Sequence, residues 1–251
     1  MFTFSDLKDR VVIVTGGATG IGEAFARAFV EQSAVVHFCD VNKDAGRQLA
    51  DELGERAVFT PLDVTREDEV RAWIQTSGAV NGQIYALVNN VAFDQRIPFD
   101  DVGMDDWDRL IAVNLRAAFV CIQEAVKFMG GDKGGSIINL GSCAFHTGQP
   151  DHLSVYISAK GGQLGMTREL ARELGPRNIR VNLLSPGWTM TDRQLRDHVT
   201  DETQQFLKEV QCLGEPLTPA EIANVALFLA SDASRAITGQ NILADKGWAH
   251  H

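Results

Sequence analysis

The chain has 251 residues, 45% of them apolar and 22% charged, which is enough to bury a substantial core in a soluble globular protein. Its net charge is −10 and no basic run occurs, which argues against nucleic acid as a partner. No apolar stretch approaches the roughly 20 residues that span a bilayer, and the first residues lack the plan of a signal peptide. The scattered cysteines (Cys39, Cys121, Cys143 and Cys212) form no Cys-x-x-Cys pair. We therefore expect reduced thiols in a cytoplasmic protein, and neither a metal site nor a disulfide framework.

Short β-branched runs alternate with longer amphipathic segments along the chain. In order, the predicted elements are strand Arg10–Thr15, helix Ile21–Gln32, strand Val35–Cys39, helix Lys43–Leu53, strand Ala57–Phe59, helix Arg66–Gln75, strand Ile84–Val88, helix Asp105–Phe128, strand Ser136–Leu140, helix Val155–Leu174, strand Ile179–Leu184, helices Asp192–Val210 and Pro219–Ala230, and strand Gln240–Ala244. This alternation implies parallel strands joined by right-handed crossovers. We predict one doubly wound α/β domain over residues 1–251, with about seven parallel strands and helices on both faces. Its ligand crevice should lie at the carboxyl ends of the strands.

A glycine-rich turn, residues 15–22, separates the first strand from the first helix. Glycine lets the backbone turn tightly and approach a ligand, and the free N–H groups of a helix start suit a pyrophosphate. The spacing Gly16-x-x-x-Gly20-x-Gly22 differs from the common G-x-G-x-x-G, so an ordinary turn is the alternative. We predict that these glycines, with Thr19 and Ile21, bind a dinucleotide.

The second strand ends at Asp40, eighteen residues after Gly22. A carboxylate there can accept both ribose hydroxyls of an adenosine and would repel a 2′-phosphate, which favours NAD over NADP. Asp40 could instead cap the next helix. After the third strand, Asp63 and Val64 could bind the adenine, or Asp63 could cap the helix that starts near Arg66.

Tyr156 and Lys160 are four positions apart, which places both side chains on one face of a helix. A free Tyr titrates near ~10. A Lys cation about 4 Å away favours the tyrosinate by about 4 kcal/mol at an effective dielectric of about 20. We expect this to lower the pKa of Tyr156 by up to roughly 3 units and to produce a general acid/base that works near pH 7. Surface decoration is the alternative for such a pair.

Together, the motifs resemble the short-chain dehydrogenase/reductase family in its single-domain form, over nearly the whole chain. The matching positions, in order, are Gly16, Gly20, Gly22, Asp63, Asn89, Asn90, Asn114, Ser142, Tyr156, Lys160, Pro186, Gly187 and the closing segment 245–248. The family's Asn-Asn-Ala-Gly is replaced by Asn-Asn-Val-Ala at 89–92, and the missing glycine would narrow the space beside the backbone near the nicotinamide. Ser142 precedes Tyr156 by fourteen residues, one more than the family pattern, so its loop must absorb an insertion. The closing Asp-Gly-Gly is here Asp-Lys-Gly.

The resemblance implies an NAD-dependent oxidoreductase with a Rossmann fold. Tyr156 would take the substrate's hydroxyl proton as hydride leaves for the nicotinamide, and Lys160 would lower the Tyr156 pKa and hold the nicotinamide ribose. Ser142 would stabilise the developing charge on the substrate oxygen. Asn114 would anchor a water that relays protons from Lys160.

The resemblance also assigns Asn90, Pro186, Gly187 and Thr189 to the cofactor site, with Thr189 on the nicotinamide carboxamide. Each polar residue has a simpler reading: Asn114 on a polar helix face, Ser142 as a strand-end cap, and Thr189 as a cap of the next helix. A homotetramer with helix–helix interfaces is the family's expectation.

The substrate should lie among the loops after the fourth, fifth and sixth strands. Those loops hold Phe93, Gln95, Arg96, His146, Gln149, His152, Trp188 and Arg193, and Trp248 and His250 could close over the site. A polar set with aromatic walls suits a sugar, a sugar acid or another polyhydroxylated molecule, and Arg96 or Arg193 could hold a carboxylate. All of them could instead be exposed loop residues, and His250-His251 could be a tag remnant.

We therefore expect an NAD-dependent dehydrogenase of a secondary alcohol in such a molecule. The alternatives are a carbonyl reductase of oxoacyl or cyclic ketone substrates and, in a different class, a non-catalytic NAD-binding sensor or scaffold.

Overall fold

The protein is described by a computed structural model that covers residues 3–148 and 152–249. The strands are β1 Val11–Thr15, β2 Val35–Asp40, β3 Ala57–Pro61, β4 Ala86–Asn89, β5 Gly135–Leu140, β6 Ile179–Pro186 and β7 Asn241–Ala244. The α-helices are α1 Gly20–Glu31, α2 Lys43–Leu53, α3 Glu67–Asn81, α4 Met104–Ile111, α5 Ala117–Ala125, α6 Ala144–Thr147, α7 Ser154–Leu174, α8 Asp192–Asp197, α9 Asp201–Val210 and α10 Pro219–Ala230. A π-helical segment, Ala112–Arg116, joins α4 to α5.

Within the described residues, seven strands form one parallel sheet in the order β3-β2-β1-β4-β5-β6-β7. The chain leaves β1 toward one edge and returns to add β4 on its other side. Strand order therefore reverses between β1 and β4, and the carboxyl ends of these strands form the crevice in which such sheets bind ligands. The predicted doubly wound α/β fold is confirmed.

Both faces of the sheet are buried, and β1 shows why. Val12 and Val14 join a core that contains Phe25 and Phe29 of α1 and much of α10. The alternate residues Val11 and Ile13 join a second core built on α3, α5 and α7. Because successive strand side chains point to opposite faces, a strand covered on both sides must be apolar throughout, as this one is.

Two predicted helices are interrupted. The segment predicted as Asp192–Val210 is two helices, because Thr200 adopts an extended conformation and starts α9 with a reciprocal capping box to Thr203. The segment predicted as Asp105–Phe128 contains the π-helical segment, where Asn114 Nδ2 donates a hydrogen bond to the carbonyl oxygen of Leu110 at 2.9 Å. The short helix α6 was not predicted. Helices α2 and α10 have the predicted bounds, α3 extends six residues beyond its predicted end, and the strand ends differ by one or two residues.

Candidate active site

The glycine turn is held in a shape that side chains would destroy. Gly16 and Gly20 have φ values of +65° and +61°. A Cβ on Gly22 would lie 1.8 Å from the Gly16 carbonyl oxygen. The first N–H groups of a helix have no intrahelical acceptor, and the side chain of Thr19, which precedes α1, does not cap them. The turn therefore presents backbone N–H donors, not covered by side chains, at the positive end of the α1 dipole. This arrangement fits the pyrophosphate of a dinucleotide.

Asn90, after β4, fastens this turn. Its Nδ2 donates to the carbonyls of Thr15 at 3.1 Å and Gly16 at 2.9 Å, and its backbone N–H donates to the Thr15 hydroxyl at 3.0 Å. Val91 packs beside the turn, since a Cβ on Gly16 would lie 2.9 Å from its Cγ2. Asn90 thus acts on the cofactor site by shaping the turn.

Asp40 stands at the end of β2 beside the same turn. Its carboxylate accepts hydrogen bonds from the N–H groups of Ala18 at 3.1 Å and Asn42 at 2.9 Å. The residue that caps α2 is Asn42, which excludes the alternative that Asp40 is the cap. Each carboxylate oxygen keeps a second lone pair, so Asp40 can still accept ribose hydroxyls.

Asp63 and Val64 follow β3 at the neighbouring strand end. Asp63 Oδ1 accepts from the N–H and hydroxyl of Thr65 at 2.9 and 2.8 Å, in a turn before α3 rather than at its cap position, which Arg66 occupies. Val64 is buried and lines a small, largely apolar cavity with Val91, Val113 and Cys121.

Tyr156, Lys160 and Ser142 meet at the carboxyl end of β5. The Ser142 side chain lies close enough to Tyr156 to lower the pKa of its phenol, and Lys160 Nζ lies 5.6 Å from the centre of the Tyr156 ring. Lys160 is buried and its Nζ donates to the carbonyl oxygen of Leu140. Ser142 Oγ also accepts from the N–H of Ala144 at 3.2 Å, so Ser142 makes the local turn as well as the contact to Tyr156. Helix α6 lies in the longer connection between Ser142 and Tyr156.

The expected lowering of the Tyr156 pKa is wrong: the structure raises it. Burial raises the pKa of Tyr156, and the nearby Asp94 carboxylate adds to this, while the hydrogen bond to Ser142 opposes it. Burial also lowers the pKa of Lys160 to about 7, against the effect of Asp94. Removal from water penalises both charged forms, and here this cost exceeds the attraction between them.

Asn114 holds the loop after β4 in place. Its side chain accepts from the N–H of Phe93 at 2.9 Å and donates to the carbonyl of the same residue at 3.0 Å. Its own carbonyl accepts from Gln163 Nε2 at 2.6 Å. Asn114 is fully buried, which excludes the reading that it lies on an exposed polar face.

Gln163 was missed by the sequence analysis. It lies one turn after Lys160 on α7, is buried, and its Oε1 has no hydrogen-bond partner among the described residues. Its spacing of three from Lys160 was the available signal.

The loop after β6 passes close to the glycine turn. Gly187 has no room for a side chain, because a Cβ would lie 2.8 Å from the Asp245 Cα. Thr189 is buried and donates to the Gly187 carbonyl at 3.1 Å. The cap of α8 is Thr191, so Thr189 is not a helix cap. Thr191 also faces the turn, since a Cβ on Gly20 would lie 3.2 Å from its Cγ2.

Most residues predicted to bind substrate have protein partners. Arg193 forms an ion pair with Asp94 at 2.7 Å, and Trp188 Nε1 donates to Gln194 at 2.8 Å. His146 shares a hydrogen bond of 2.8 Å with Asn241, and its ring packs on Phe145 at 4.3 Å. Arg96 is exposed, as is His152, whose carbonyl accepts from the N–H of Ile97 at 2.9 Å.

Trp248 packs edge-to-face on Phe206 of α9, with ring centres 5.9 Å apart. The predicted residues Gln149, His250 and His251 lie outside the described residues.

The site defines a class of protein before any comparison. A glycine turn that fits a pyrophosphate and a Tyr–Ser–Lys cluster at the strand ends of a doubly wound sheet together define a nucleotide-dependent oxidoreductase. The family described as Enoyl-(acyl carrier protein) reductase matches residues 16–249. The chain therefore belongs to the short-chain dehydrogenase/reductase family, as the motifs indicated.

Relatives that carry the names of dehydrogenases and reductases match nearly the whole chain. A probable galactose dehydrogenase of Rhizobium meliloti is 39% identical over 97% of this chain and 96% of its own length. D-xylose 1-dehydrogenase of Caulobacter vibrioides is 38% identical over 98% of both chains. A 3-oxoacyl-[acyl-carrier-protein] reductase of Chlamydia trachomatis is 35% identical over 97% of this chain and 98% of its own.

A solved structure supports the same assignment. A blue fluorescent protein from a metagenomic library, in complex with NADPH, superposes with a TM-score of 0.90 and 33% identity over 98% of this chain and 100% of its own. The protein is thus an oxidoreductase of the CH–OH group that uses a nicotinamide cofactor. No helix within residues 3–148 and 152–249 is both long and apolar enough to cross a membrane.

Proposed function

We propose that the protein is an NAD-dependent dehydrogenase that oxidises a secondary alcohol of a sugar or a similar polyhydroxylated small molecule. The observation that carries this proposal is the cluster of Tyr156, Ser142 and buried Lys160 after β5, in a chain that matches sugar dehydrogenases over 97–98% of its length. The loops around the pair supply charged and amide side chains, which suit hydroxyl groups better than an acyl chain. A single doubly wound domain in the cytoplasm is part of the same proposal.

In the proposed mechanism, Tyr156 accepts the proton of the reacting hydroxyl while Ser142 donates a hydrogen bond to the same oxygen. The bound oxidised nicotinamide supplies the hydride acceptor and a positive charge. Lys160 stabilises the tyrosinate and holds the ribose, and its pKa of about 7 lets it pass a proton on at neutral pH. A relay water would be held by Asn114 with Gln163, whose Nε2 donates to the Asn114 carbonyl and whose buried Oε1 has no partner among the described residues.

The preference for NAD rests on Asp40. Its carboxylate is fixed by two backbone N–H groups at the end of β2, where it can accept two ribose hydroxyls. A 2′-phosphate at the same place would meet a like charge. Gly16, Thr19, Gly20, Ile21 and Gly22 would hold the phosphates. The remaining cofactor residues would be Val64 at the adenine with Asp63, Asn90 behind the turn, and Pro186, Gly187 and Thr189 at the nicotinamide.

The experiment that tests this function follows absorbance at 340 nm with NAD across neutral sugars, sugar acids, cyclic alcohols and 3-hydroxyacyl thioesters. We expect turnover with polyhydroxylated substrates. Turnover confined to cyclic or acyl substrates would refute the substrate class.

A carbonyl reductase of oxoacyl substrates is the second candidate. The description of the matching family and the 35% identical oxoacyl reductase favour it. It predicts a preference for NADPH and reduction as the faster direction. A non-catalytic NAD sensor is a weaker candidate, because such a protein has no need of an assembled Tyr156–Ser142–Lys160 cluster.

We also propose that the protein forms a homotetramer through helix–helix contacts. An apolar groove runs between α5 and α7, where Phe119 is 49% exposed, Leu115, Met166 and Leu170 line the walls, and Arg116 and Glu173 lie at the margin. A second copy docked by a two-fold axis would cover the groove and pair the opposite charges. Light scattering tests this, and Phe119→Asp should halve the assembled mass.

A further inference from the structure

Asp94 lies in a loop that is restrained on both sides of it, through the backbone of Phe93 and the side chain of Gln95. Asn114 holds both backbone groups of Phe93, at 2.9 and 3.0 Å. Arg109 lies over the Phe93 ring, 5.4 Å from its centre, and donates to Gln95 Oε1 at 2.6 Å. These contacts restrain the residues before and after Asp94. The position of Asp94 is therefore set by the protein and needs no substrate to define it.

Only one of the two Asp94 carboxylate oxygens forms a hydrogen bond within the described residues. Arg193 Nη2 donates to Oδ1 at 2.7 Å, while Oδ2 makes no hydrogen bond to any other described residue. The Asp94 side chain is 22% exposed, so it is reached by solvent but mostly enclosed. Asp94 acts electrostatically on both Tyr156 and Lys160, and Arg193 acts on Tyr156. Asp94 follows β4 and Arg193 follows β6, the strands on either side of β5, which leads to Ser142, so the ion pair joins the two loops that flank Ser142.

We propose that Asp94 determines substrate specificity by accepting, through Oδ2, a hydrogen bond from a hydroxyl of a neutral polyol other than the one that is oxidised. This inference rests on the proposed function and narrows it to neutral sugars rather than sugar acids. A carboxylate accepts O–H groups strongly and repels a second carboxylate. Arg193, predicted above to hold a substrate carboxylate, is already neutralised by Asp94 and instead orients it.

The two charges of the pair give a test that a purely structural role would not pass. Asp94 raises the pKa of Tyr156, whereas Arg193 lowers it. Loss of the negative charge should therefore move the pH dependence of oxidation to lower pH, and loss of the positive charge should move it to higher pH. A variant that only loosened the loop would change both profiles in the same way or leave them unmoved.

The experiment compares Asp94→Asn and Arg193→Gln with the wild type on D-galactose, D-xylose, their monodeoxy analogues and D-galacturonate. Asp101→Asn removes the same charge from an exposed position of the same connection and is the matched control. We expect the wild type to prefer the neutral sugars over galacturonate. Asp94→Asn should raise KM for the neutral sugars by about tenfold or more, with little change for the analogue that lacks the bound hydroxyl.

Three results separate the outcomes. Turnover of sugars by the wild type, with unchanged KM and an unmoved pH profile in Asp94→Asn, overturns this inference and leaves the proposed function standing. Equal use of galacturonate and neutral sugars by the wild type also overturns it. No turnover of any polyhydroxylated substrate refutes the proposed function and the inference together. If Asp94→Asn does not fold, the profile of Arg193→Gln decides, because a shift to higher pH is required of it.

Discussion

The two sides of the crevice are held by different kinds of contact. On the cofactor side, the contacts end on backbone groups: Gly16 and Gly22 touch each other, and the Asn90 side chain bonds the backbone carbonyls of Thr15 and Gly16. On the substrate side, side chains from distant positions meet, as in the ion pair of Asp94 with Arg193, which are 99 residues apart. A cofactor shared by many enzymes can be bound by backbone, whereas a particular substrate needs particular side chains. Substitutions on the two sides should therefore affect cofactor binding and catalysis separately.

Tyr156→Phe should remove catalysis and leave the cofactor side intact. Loss of a general acid/base costs about 10²–10⁴ in rate, so kcat should fall by at least about a hundredfold. The dissociation constant of NAD, measured by calorimetry, should change little. Tyr85→Phe is the matched control, because it removes the other phenol, which is buried and bonded to Asp232 at 3.3 Å, away from the cluster. Wild-type kcat in Tyr156→Phe would contradict the mechanism.

Gly22→Ala should weaken cofactor binding and leave the catalytic cluster in place. The new Cβ would lie 1.8 Å from the Gly16 carbonyl, which forces α1 away from the turn. Overpacking of this kind destabilises by about 1–3 kcal/mol, and cofactor affinity should fall by about tenfold or more. Urea unfolding and NAD titration measure both effects. Gly165→Ala, on α7 with no atom near the added Cβ, should keep wild-type affinity and gain up to about 1 kcal/mol of stability. A Gly22→Ala variant with normal affinity would show that the turn does not hold the phosphates.

Asp40→Ser should change which nicotinamide cofactor is preferred without changing the substrate. Removal of the like charge should improve the ratio of NADP to NAD affinity by about tenfold. Fluorescence titration of both cofactors measures the ratio. Asp44→Ser removes an exposed charge on the neighbouring helix and should leave the ratio unchanged. Equal ratios in wild type and Asp40→Ser would remove the basis for the NAD preference.

Lys160→Met should alter the pH dependence of stability. The pKa of Lys160 is lowered from 10.5 to about 7, so between these values the unfolded chain binds a proton that the folded protein does not. Folding stability then rises with pH across that window, by at most about 1.4 kcal/mol per pH unit. The variant lacks this rise, so the free energy of unfolding of the wild type should increase relative to that of the variant as pH increases from 7 to 9.5. A difference in the free energy of unfolding between the two proteins that stays the same at every pH would contradict the burial of a neutral Lys160.

The amino-acid sequence by itself determined the parallel sheet, the glycine turn and the Tyr156–Lys160 pair. These depend on patterns of neighbouring residues: continuous apolar runs for buried strands, and a spacing of four that a helix converts into one face. Asp40 at a strand end follows from the same logic. Helices α2 and α10 have their predicted bounds, and the side chains of Asn42 and Thr218 cap their starts in the structure.

Only the tertiary structure decided what depends on burial and on distant partners. The sequence analysis took Lys160 as a cation that lowers the pKa of Tyr156, but burial raises the pKa of Tyr156 and lowers that of Lys160. It offered Arg193 to the substrate and passed over Asp94, because nothing in the local pattern of either residue indicates that they meet. It also missed Gln163, whose role depends on a carbonyl 49 residues away. Electrostatic free energies depend on solvent exposure and separation in space, and neither quantity is written in sequence spacing.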